Sequence, residues 1–223
     1  MPVLTDIHTH HLPAIPGTAL VNVRLKADQL SFIPQQGQVY SVGLHPWDVG
    51  NRQQYQTLLK DSWEKRLTDM LHCEWVLAVG EAGFDKLCSS DPDCQYNAFV
   101  IQAKLAEMVA KPLIIHQVKG IDRVLAVHKL IQPKQPWIIH GFRGKPQQAL
   151  ALAKLGFYLS FGERYNEESL RTFPHEYLLL ETDESLIPIE TLYEKAAQVR
   201  GLSASALRKE VLENIHHIFP ALA

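Results

Sequence analysis

The chain has 223 residues, of which 46% are apolar and 21% charged, and this composition excludes disordered, collagen-like and coiled-coil proteins. Its 22 Lys and Arg against 24 Asp and Glu give a formal net charge of −2. That balance argues against a protein that coats nucleic acid through a broad basic surface, although it allows an enzyme that grips one strand end locally.

Short apolar runs alternate with longer amphipathic stretches along the chain. The runs are nearly continuous in apolar character and end at polar turns, which is typical of strands buried on both faces. In chain order, the predicted strands are Val3–Ile7, Leu20–Leu25, Val39–Leu44, Val76–Gly80, Leu113–Ile115, Trp137–Ile139, Phe157–Phe161 and Tyr177–Leu180.

The stretches between these strands carry apolar residues at three- and four-residue steps, which predicts amphipathic helices. These helices are Gln54–His72, Gln95–Ala110, Ile121–Ile131, Pro146–Leu155, Ile189–Arg200 and Ser203–Phe219. Eight strands alternating with helices predict an α/β fold, a (β/α)₈ TIM-type barrel that fills residues 1–223 as a single domain.

The beginning of the chain departs from a regular barrel. Residues 11–19 are too few for a helix and contain Pro13 and Pro16, so we expect the first helix to be reduced or missing. Residues 26–37 hold at most a short helix.

Six residues of metal-ligand type lie at the carboxyl ends of the predicted strands. In a parallel barrel these strand ends share one rim, so we expect the six side chains to converge. His-x-His at the end of the first strand places two imidazoles on the same side. One histidine at a strand end is usually structural. Five of the eight predicted strands end in a residue of metal-ligand type, and this coincidence favours metal binding. The predicted metal ligands are His8, His10, Glu81, His116, His140 and Asp183.

Four imidazoles and two carboxylates suffice for two divalent cations, which in hydrolases lie about 3.5–4 Å apart and activate a shared water. An imidazole-rich set favours Zn²⁺, Mn²⁺, Co²⁺, Ni²⁺ or Fe²⁺, with Mg²⁺ as an alternative because it prefers oxygen ligands.

Three further residues are candidates for substrate contacts. His45 follows the third strand, and we interpret it as a hydrogen-bond donor to substrate. Arg143 and Lys119 lie just past His140 and His116, where their charges would meet phosphate oxygens. A glycine-rich phosphate loop and a Gly-x-Ser-x-Gly elbow are both missing from the sequence.

The sequence also gives expectations about location and partners. Its apolar runs are too short to span a bilayer, and its first residues lack the pattern of a secretory signal. Three cysteines without a Cys-x-x-Cys pair are typical of reduced thiols. We therefore expect a cytoplasmic protein that does not bind membranes, and nothing in the sequence indicates an obligate protein partner.

The order of these motifs resembles the TatD family of metal-dependent hydrolases, within the wider group of amidohydrolase-like barrels. The resemblance spans nearly the whole chain. It is carried by the segments Asp6–His10, Val42–Pro46, Gly80–Asp85, Leu113–His116, His140–Gly144, Leu180–Asp183 and Asn214–Phe219.

The resemblance implies a two-metal phosphodiesterase of the deoxyribonuclease type, with a phosphodiester substrate such as a DNA end. By position, it implies that His8, His10 and Asp183 hold one ion. It likewise implies that His116 and His140 hold the other and that Glu81 bridges both. Asp183 would also accept the proton of the attacking, metal-activated water.

The sequence departs from the family pattern beside the predicted site. Val118 stands where the family usually has arginine, and Glu184-Ser185 replaces the usual Ser-Pro. These differences keep two alternatives open. One is an amide, lactone or carboxylic-ester hydrolase on the same two-metal barrel, and the other is a non-enzymatic binding protein on a degenerate barrel.

Overall fold

The computed structural model describes residues 3–26 and 32–222, and within them eight strands form one sheet in which sequence neighbours are hydrogen-bonded. The pairings between strands are parallel. The strands are β1 Asp6–Thr9, β2 Ala19–Arg24, β3 Val39–Gly43, β4 Val76–Asp85, β5 Leu113–Val118, β6 Trp137–Ile139, β7 Tyr158–Phe161 and β8 Leu178–Leu180.

Nine α-helices occur in the described residues. The first three follow β3, and one helix then follows each of β4, β5, β6 and β7, while two follow β8. They are α1 Pro46–Val49, α2 Arg52–Lys60, α3 Trp63–Leu71, α4 Pro92–Met108, α5 Ile121–Ile131, α6 Pro146–Ala153, α7 Glu167–Thr172, α8 Ile189–Arg200 and α9 Ala204–Ile218. Within 3–26 and 32–222, none of these helices is long and apolar enough to cross a membrane.

All eight predicted strands are present, and three of them differ from the prediction by more than one residue at an end. β1 begins at Asp6 rather than Val3, and β4 and β5 run on to Asp85 and Val118. Glu81 therefore lies inside β4 instead of following it. The apolar run alone did not show this, because residues 80–85 mix small, charged and aromatic side chains and are nevertheless buried.

The predicted helix Gln54–His72 is two helices, α2 and α3. Ser62, between them, adopts a left-handed backbone with φ +53°, which ends the helical path although the apolar spacing continues across it. Residues 10–18 form no helix, as expected for a missing first helix. The short helix allowed for 26–37 falls partly on residues 27–31, which lie outside the described residues.

The chain divides into two compact units. Unit 1 comprises Met1–Val21, Gln36–Gln38 and Pro136–Ala223, and unit 2 comprises Asn22–Gln35 and Val39–Gln135. In unit 1, residues 178–180 of β8 are completely buried, and β1 joins the segment after β8 through a parallel bridge between Thr9 and Asp183. In unit 2, β3, β4 and β5 pair side by side. The prediction that residues 1–223 form a single domain stays a prediction.

Candidate metal centre

In unit 1, two of the predicted ligands place imidazole nitrogens near one carboxylate oxygen of a third. The Nε2 atoms of His8 and His10 lie 3.8 Å and 3.5 Å from the same Oδ1 of Asp183. These separations are long for hydrogen bonds. They are close to the roughly 3.3 Å between two ligands of a tetrahedral ion whose bonds are about 2.0–2.1 Å. The three side chains therefore fit a shared divalent ion.

His140 belongs to the same cluster. Its ring centroid lies 4.4 Å from that of His8. One ligand atom from each of His8, His140 and Asp183 lies within 4.8 Å of the other two. Unit 1 thus brings four of the six predicted ligands together.

The backbone fixes Asp183 against β1. The Asp183 amide donates to the carbonyl of His8 at 2.9 Å, and the His10 amide donates to the carbonyl of Asp183 at 3.1 Å. Asp183 itself adopts a left-handed backbone with φ +54°, a conformation that Asp tolerates better than most residues. The carboxylate is therefore held beside the His-x-His pair by main-chain bonds rather than by a flexible loop.

Asp6 ties the segment after β8 to β1. It accepts hydrogen bonds from the Thr182 hydroxyl at 2.6 Å, the Thr182 amide at 3.1 Å and the His8 amide at 3.3 Å. Burial raises the pKa of Asp6 to about 7, although the bonds from Thr182 and His8 oppose that shift. Asp6 is thus a positioning residue that sequence reasoning did not single out.

Glu181 supports His140 in a similar way. Its Oε1 lies 3.3 Å from His140 Nδ1 and accepts from the Gly141 amide at 2.7 Å. Burial raises the pKa of Glu181, and the neighbouring His140 lowers it in part. With Nδ1 facing Glu181, the other ring nitrogen of His140 is the one placed for a metal, as in carboxylate–histidine–metal arrangements.

In unit 2, Glu81 and His116 meet directly. His116 Nδ1 lies 2.6 Å from Glu81 Oε1, and one ligand atom from each of His45, Glu81 and His116 lies within 4.8 Å of the other two. Asn22 fixes Glu81 from two sides, since its amide nitrogen donates to Glu81 Oε2 at 3.1 Å and its oxygen accepts from the Glu81 amide at 3.0 Å.

Two glycines allow this part of β4 to lie where it does. Gly80, which precedes Glu81, has φ +129°, and a Cβ there would lie 2.4 Å from the carbonyl oxygen of Ile114. A Cβ on Gly43 would lie 2.7 Å from the Gly80 backbone. Close approach of three backbone segments therefore sets the position of the buried carboxylate.

His45, predicted as a substrate contact, has both ring nitrogens engaged inside the protein. It caps α1, where its Nδ1 accepts the Trp47 amide at 3.1 Å, so the proton lies on Nε2. Nε2 lies 3.2 Å from Glu81 Oε1. Burial lowers the pKa of His45, and its bond to Glu81 partly offsets that shift. This arrangement suits a neutral donor that orients Glu81, and a contact with substrate stays a prediction.

Asp85 was not singled out from the sequence, yet it contacts a predicted ligand. Its Oδ2 lies 3.5 Å from His116 Nε2 and accepts from the Trp47 indole at 2.7 Å, and Oδ1 accepts from the Leu87 amide at 2.7 Å. Burial raises the pKa of Asp85, but these bonds lower it, and the resulting pKa is below its ordinary value. Its only sequence signal was its place at the end of the segment Gly80–Asp85, one of those that carry the family resemblance.

The two cationic candidates are both exposed. Arg143 lines a polar cavity with Asp183 in unit 1. Lys119 follows β5 with a left-handed backbone, φ +54°. Among the described residues, no ion pair joins either side chain to a carboxylate.

The fold and these clusters define a class of protein: parallel α/β barrel enzymes with histidine and carboxylate metal ligands at the carboxyl ends of the strands. Comparison with known proteins gives the family. The model of the TatD-related DNase family matches residues 19–220, so the chain belongs to that family.

Relatives within the family agree with this assignment. The metal-dependent hydrolase YabD of Bacillus subtilis is 32% identical over 152 residues, 64% of this chain and 57% of YabD. The chain thus matches less than two thirds of that relative's length. The 3'-5' ssDNA/RNA exonuclease TatD of Escherichia fergusonii is 26% identical over 206 residues, 80% of this chain and 76% of that protein.

The fold is shared with a solved structure. The crystal structure of YjjV, a TatD homologue from Escherichia coli, covers 98% of both chains with a TM-score of 0.77 and 22% identity. The predicted (β/α)₈ barrel class is confirmed by this likeness and by the eight parallel strands in sequence order.

Proposed function

We propose that the chain is a divalent-metal-dependent phosphodiesterase that cleaves DNA or a related phosphodiester. Family membership and a relative named as an exonuclease of single-stranded DNA and RNA support this substrate class. The observation that carries the proposal is the position of His8 Nε2 and His10 Nε2, at 3.8 Å and 3.5 Å from one carboxylate oxygen of Asp183.

The proposed ligands fall into two groups. His8, His10, His140 and Asp183 would hold metal in unit 1, which groups His140 with His8 rather than with His116 as the family resemblance implies. Glu81 and His116 would hold metal in unit 2. Two divalent ions of the Zn²⁺, Mn²⁺, Co²⁺, Ni²⁺ or Fe²⁺ type suit these donors better than Mg²⁺. When bound, the ions would supply an activated water and positive charge for the phosphoryl transition state.

The protein's own groups then have separate tasks. Asp183 is the proposed base for the attacking water, because its side chain is 26% exposed whereas that of Glu81 is 2% exposed. Glu81 stays fixed by Asn22 and acts as a ligand. Arg143, on the cavity that Asp183 also lines, would bind phosphate oxygens of the substrate.

The test is hydrolysis of a single-stranded oligonucleotide by purified protein with Mn²⁺, Zn²⁺ or Mg²⁺, alongside a panel of carboxylic esters, lactones and amides. We expect nucleotide release by the wild type and a loss of about a thousandfold or more in His8→Ala. His217→Ala, on the exposed side of α9, is the matched control and should keep full activity.

Two outcomes would contradict the proposal. Hydrolysis of esters, lactones or amides without nucleotide release would favour the alternative hydrolase. Absence of any hydrolysis, together with no bound metal, would favour a non-enzymatic binding protein. Circular dichroism of each variant checks that the fold is retained.

A further inference from the structure

A polar cavity of about 210 Å³ lies beside Asp183 within unit 1. Two arginines line it, Arg143 after β6 and Arg164 after β7. β6 and β7 are parallel neighbours, so the loops at their carboxyl ends lie side by side, and the Phe142 amide donates to the Ser160 carbonyl at 2.9 Å. We call this space the two-arginine cavity.

These two arginines differ from the other arginines in the described part of unit 1. Arg171 bonds to Glu168, Arg200 donates to two backbone carbonyls, and Arg208 lies 3.8 Å from Glu190. Among the described residues, neither Arg143 nor Arg164 has a carboxylate within 4.0 Å. Their guanidinium groups are exposed donors, each with five N–H bonds in a planar fork that matches phosphate oxygens.

The carboxylates that share the cavity limit what it can accept. Glu163 accepts the Ser185 hydroxyl at 2.7 Å, and Glu181 accepts the Gly141 amide at 2.7 Å. Asp183 and Glu184 also line the cavity, and Glu184 is exposed. These negative charges favour an anion with one charge over an anion with two. At about 210 Å³ the space is smaller than the roughly 300–1,000 Å³ of sites for drug-sized ligands, which fits a phosphate group rather than a nucleoside.

We propose that Arg143 and Arg164 bind the phosphodiester next along the strand from the one that is cleaved. This inference rests on the proposed function and adds a substrate class to it. The two-arginine cavity makes the protein select a chain of at least two phosphodiesters over a single diester. Arg164 is then a specificity-determining residue that acts at a neighbouring phosphate.

Three small substrates test whether the arginines recognise a neighbouring phosphodiester or a terminal phosphate. The thymidine dinucleotide TpT has one phosphodiester and no second phosphate. The trinucleotide TpTpT has a second phosphodiester next to the first, and pTpT has a terminal phosphate next to its one phosphodiester. We expect a KM for TpTpT about tenfold below that for TpT in the wild type, as charge-assisted bonds to phosphate would give. Arg164→Ala should remove this difference, and Arg164→Lys should keep part of it.

Arg171→Ala is the matched control, because Arg171 already bonds to Glu168 and should leave the preference unchanged. A wild type without preference, or an Arg164→Ala variant that keeps the preference, would overturn the inference. An equal gain for pTpT would show that a terminal phosphate is recognised and would overturn the assignment to a diester.

A binding measurement separates this inference from the proposed function. A phosphorothioate-linked thymidine trinucleotide, which resists cleavage, is titrated calorimetrically into the wild type and into Arg164→Ala. Binding about tenfold weaker in the variant would support the two-arginine cavity even if no oligonucleotide is hydrolysed. Equal affinity would overturn it even if the phosphodiesterase activity is found.

Discussion

Asp85 contacts the nitrogen of His116 that faces away from Glu81. His116 Nδ1 lies 2.6 Å from Glu81, whereas Nε2 lies 3.5 Å from Asp85, which is itself held by the Trp47 indole. A carboxylate beside the far nitrogen of a ligating histidine fixes the orientation of its ring. With Asp85 beside Nε2, Nδ1 would be the atom of His116 that binds a metal.

We predict that Asp85→Ala lowers metal affinity about 10–100-fold, the range typical of changes behind a ligating histidine. Asp122→Ala is the matched control, since Asp122 is an exposed carboxylate paired with Lys86 in the same unit. Equilibrium dialysis against a competing chelator measures the affinity, and circular dichroism checks the fold. Unchanged affinity in Asp85→Ala would remove Asp85 from the metal centre.

At the residue scale, the sequence singles out candidate ligands more readily than the groups behind them. His8 and His10 stand out because a strand places alternate side chains on one face. Other acidic residues lie near Asp85 and Glu181 in the sequence, so the sequence does not distinguish these two. Only the fold shows that Asp85 lies beside His116 and Glu181 beside His140. Partners of this kind depend on pairing between strands distant in sequence, which a single sequence does not record.

Ser62 shows how a continuous apolar pattern can hide an element boundary. It lies between α2 and α3 with φ +53° and ψ +45°, and its side chain makes no capping hydrogen bond to α3. A left-handed backbone costs a residue with a Cβ about 1–2 kcal/mol, while glycine adopts it freely. The buried residues Leu58, Trp63 and Leu67 continue across the break, so their spacing did not predict it.

We predict that Ser62→Gly raises the free energy of unfolding by about 0.5 kcal/mol, since relief of the left-handed strain exceeds the added entropy of the unfolded chain. Ser205→Gly, in the first turn of α9, is the matched control and should lower it by a similar amount. Urea unfolding followed by circular dichroism measures both. A destabilised Ser62→Gly variant would show that the serine is not strained.

The strands were easier to predict than the helices because their burial is nearly uniform. Residues 113–115, 137–139 and 178–180 are fully apolar and buried. The predicted bounds of β6 and β8 agree with the structure to within one residue, and so does the predicted start of β5. The predicted fourth strand ends before the observed β4 does, because the last residues of β4, Glu81 to Asp85, are buried without being mostly aliphatic. Polar residues that serve a site are hidden from a pattern that reads only hydrophobicity.

At the scale of the whole molecule, metal binding would be coupled to stability. The ligands of the unit 1 cluster are separated by up to 175 positions in sequence, from His8 to Asp183, and only the folded chain brings them together. A metal that binds the folded state and not the unfolded chain stabilises it in proportion to the logarithm of its concentration. The stability of the protein should therefore depend on free metal.

We predict that Zn²⁺ or Mn²⁺ at 100 times its Kd stabilises the protein by about 2.7 kcal/mol, which raises Tm by roughly 5–10 °C for a chain of this size. Excess chelator should reverse the rise. Asp183→Asn removes the charged oxygen that faces His8 and His10, so most of the rise should be lost there, whereas His217→Ala should keep it. Differential scanning calorimetry gives Tm for each form. An equal rise in Asp183→Asn would place the bound metal elsewhere, because the carboxylate that gathers both imidazoles would then make no contribution to holding it.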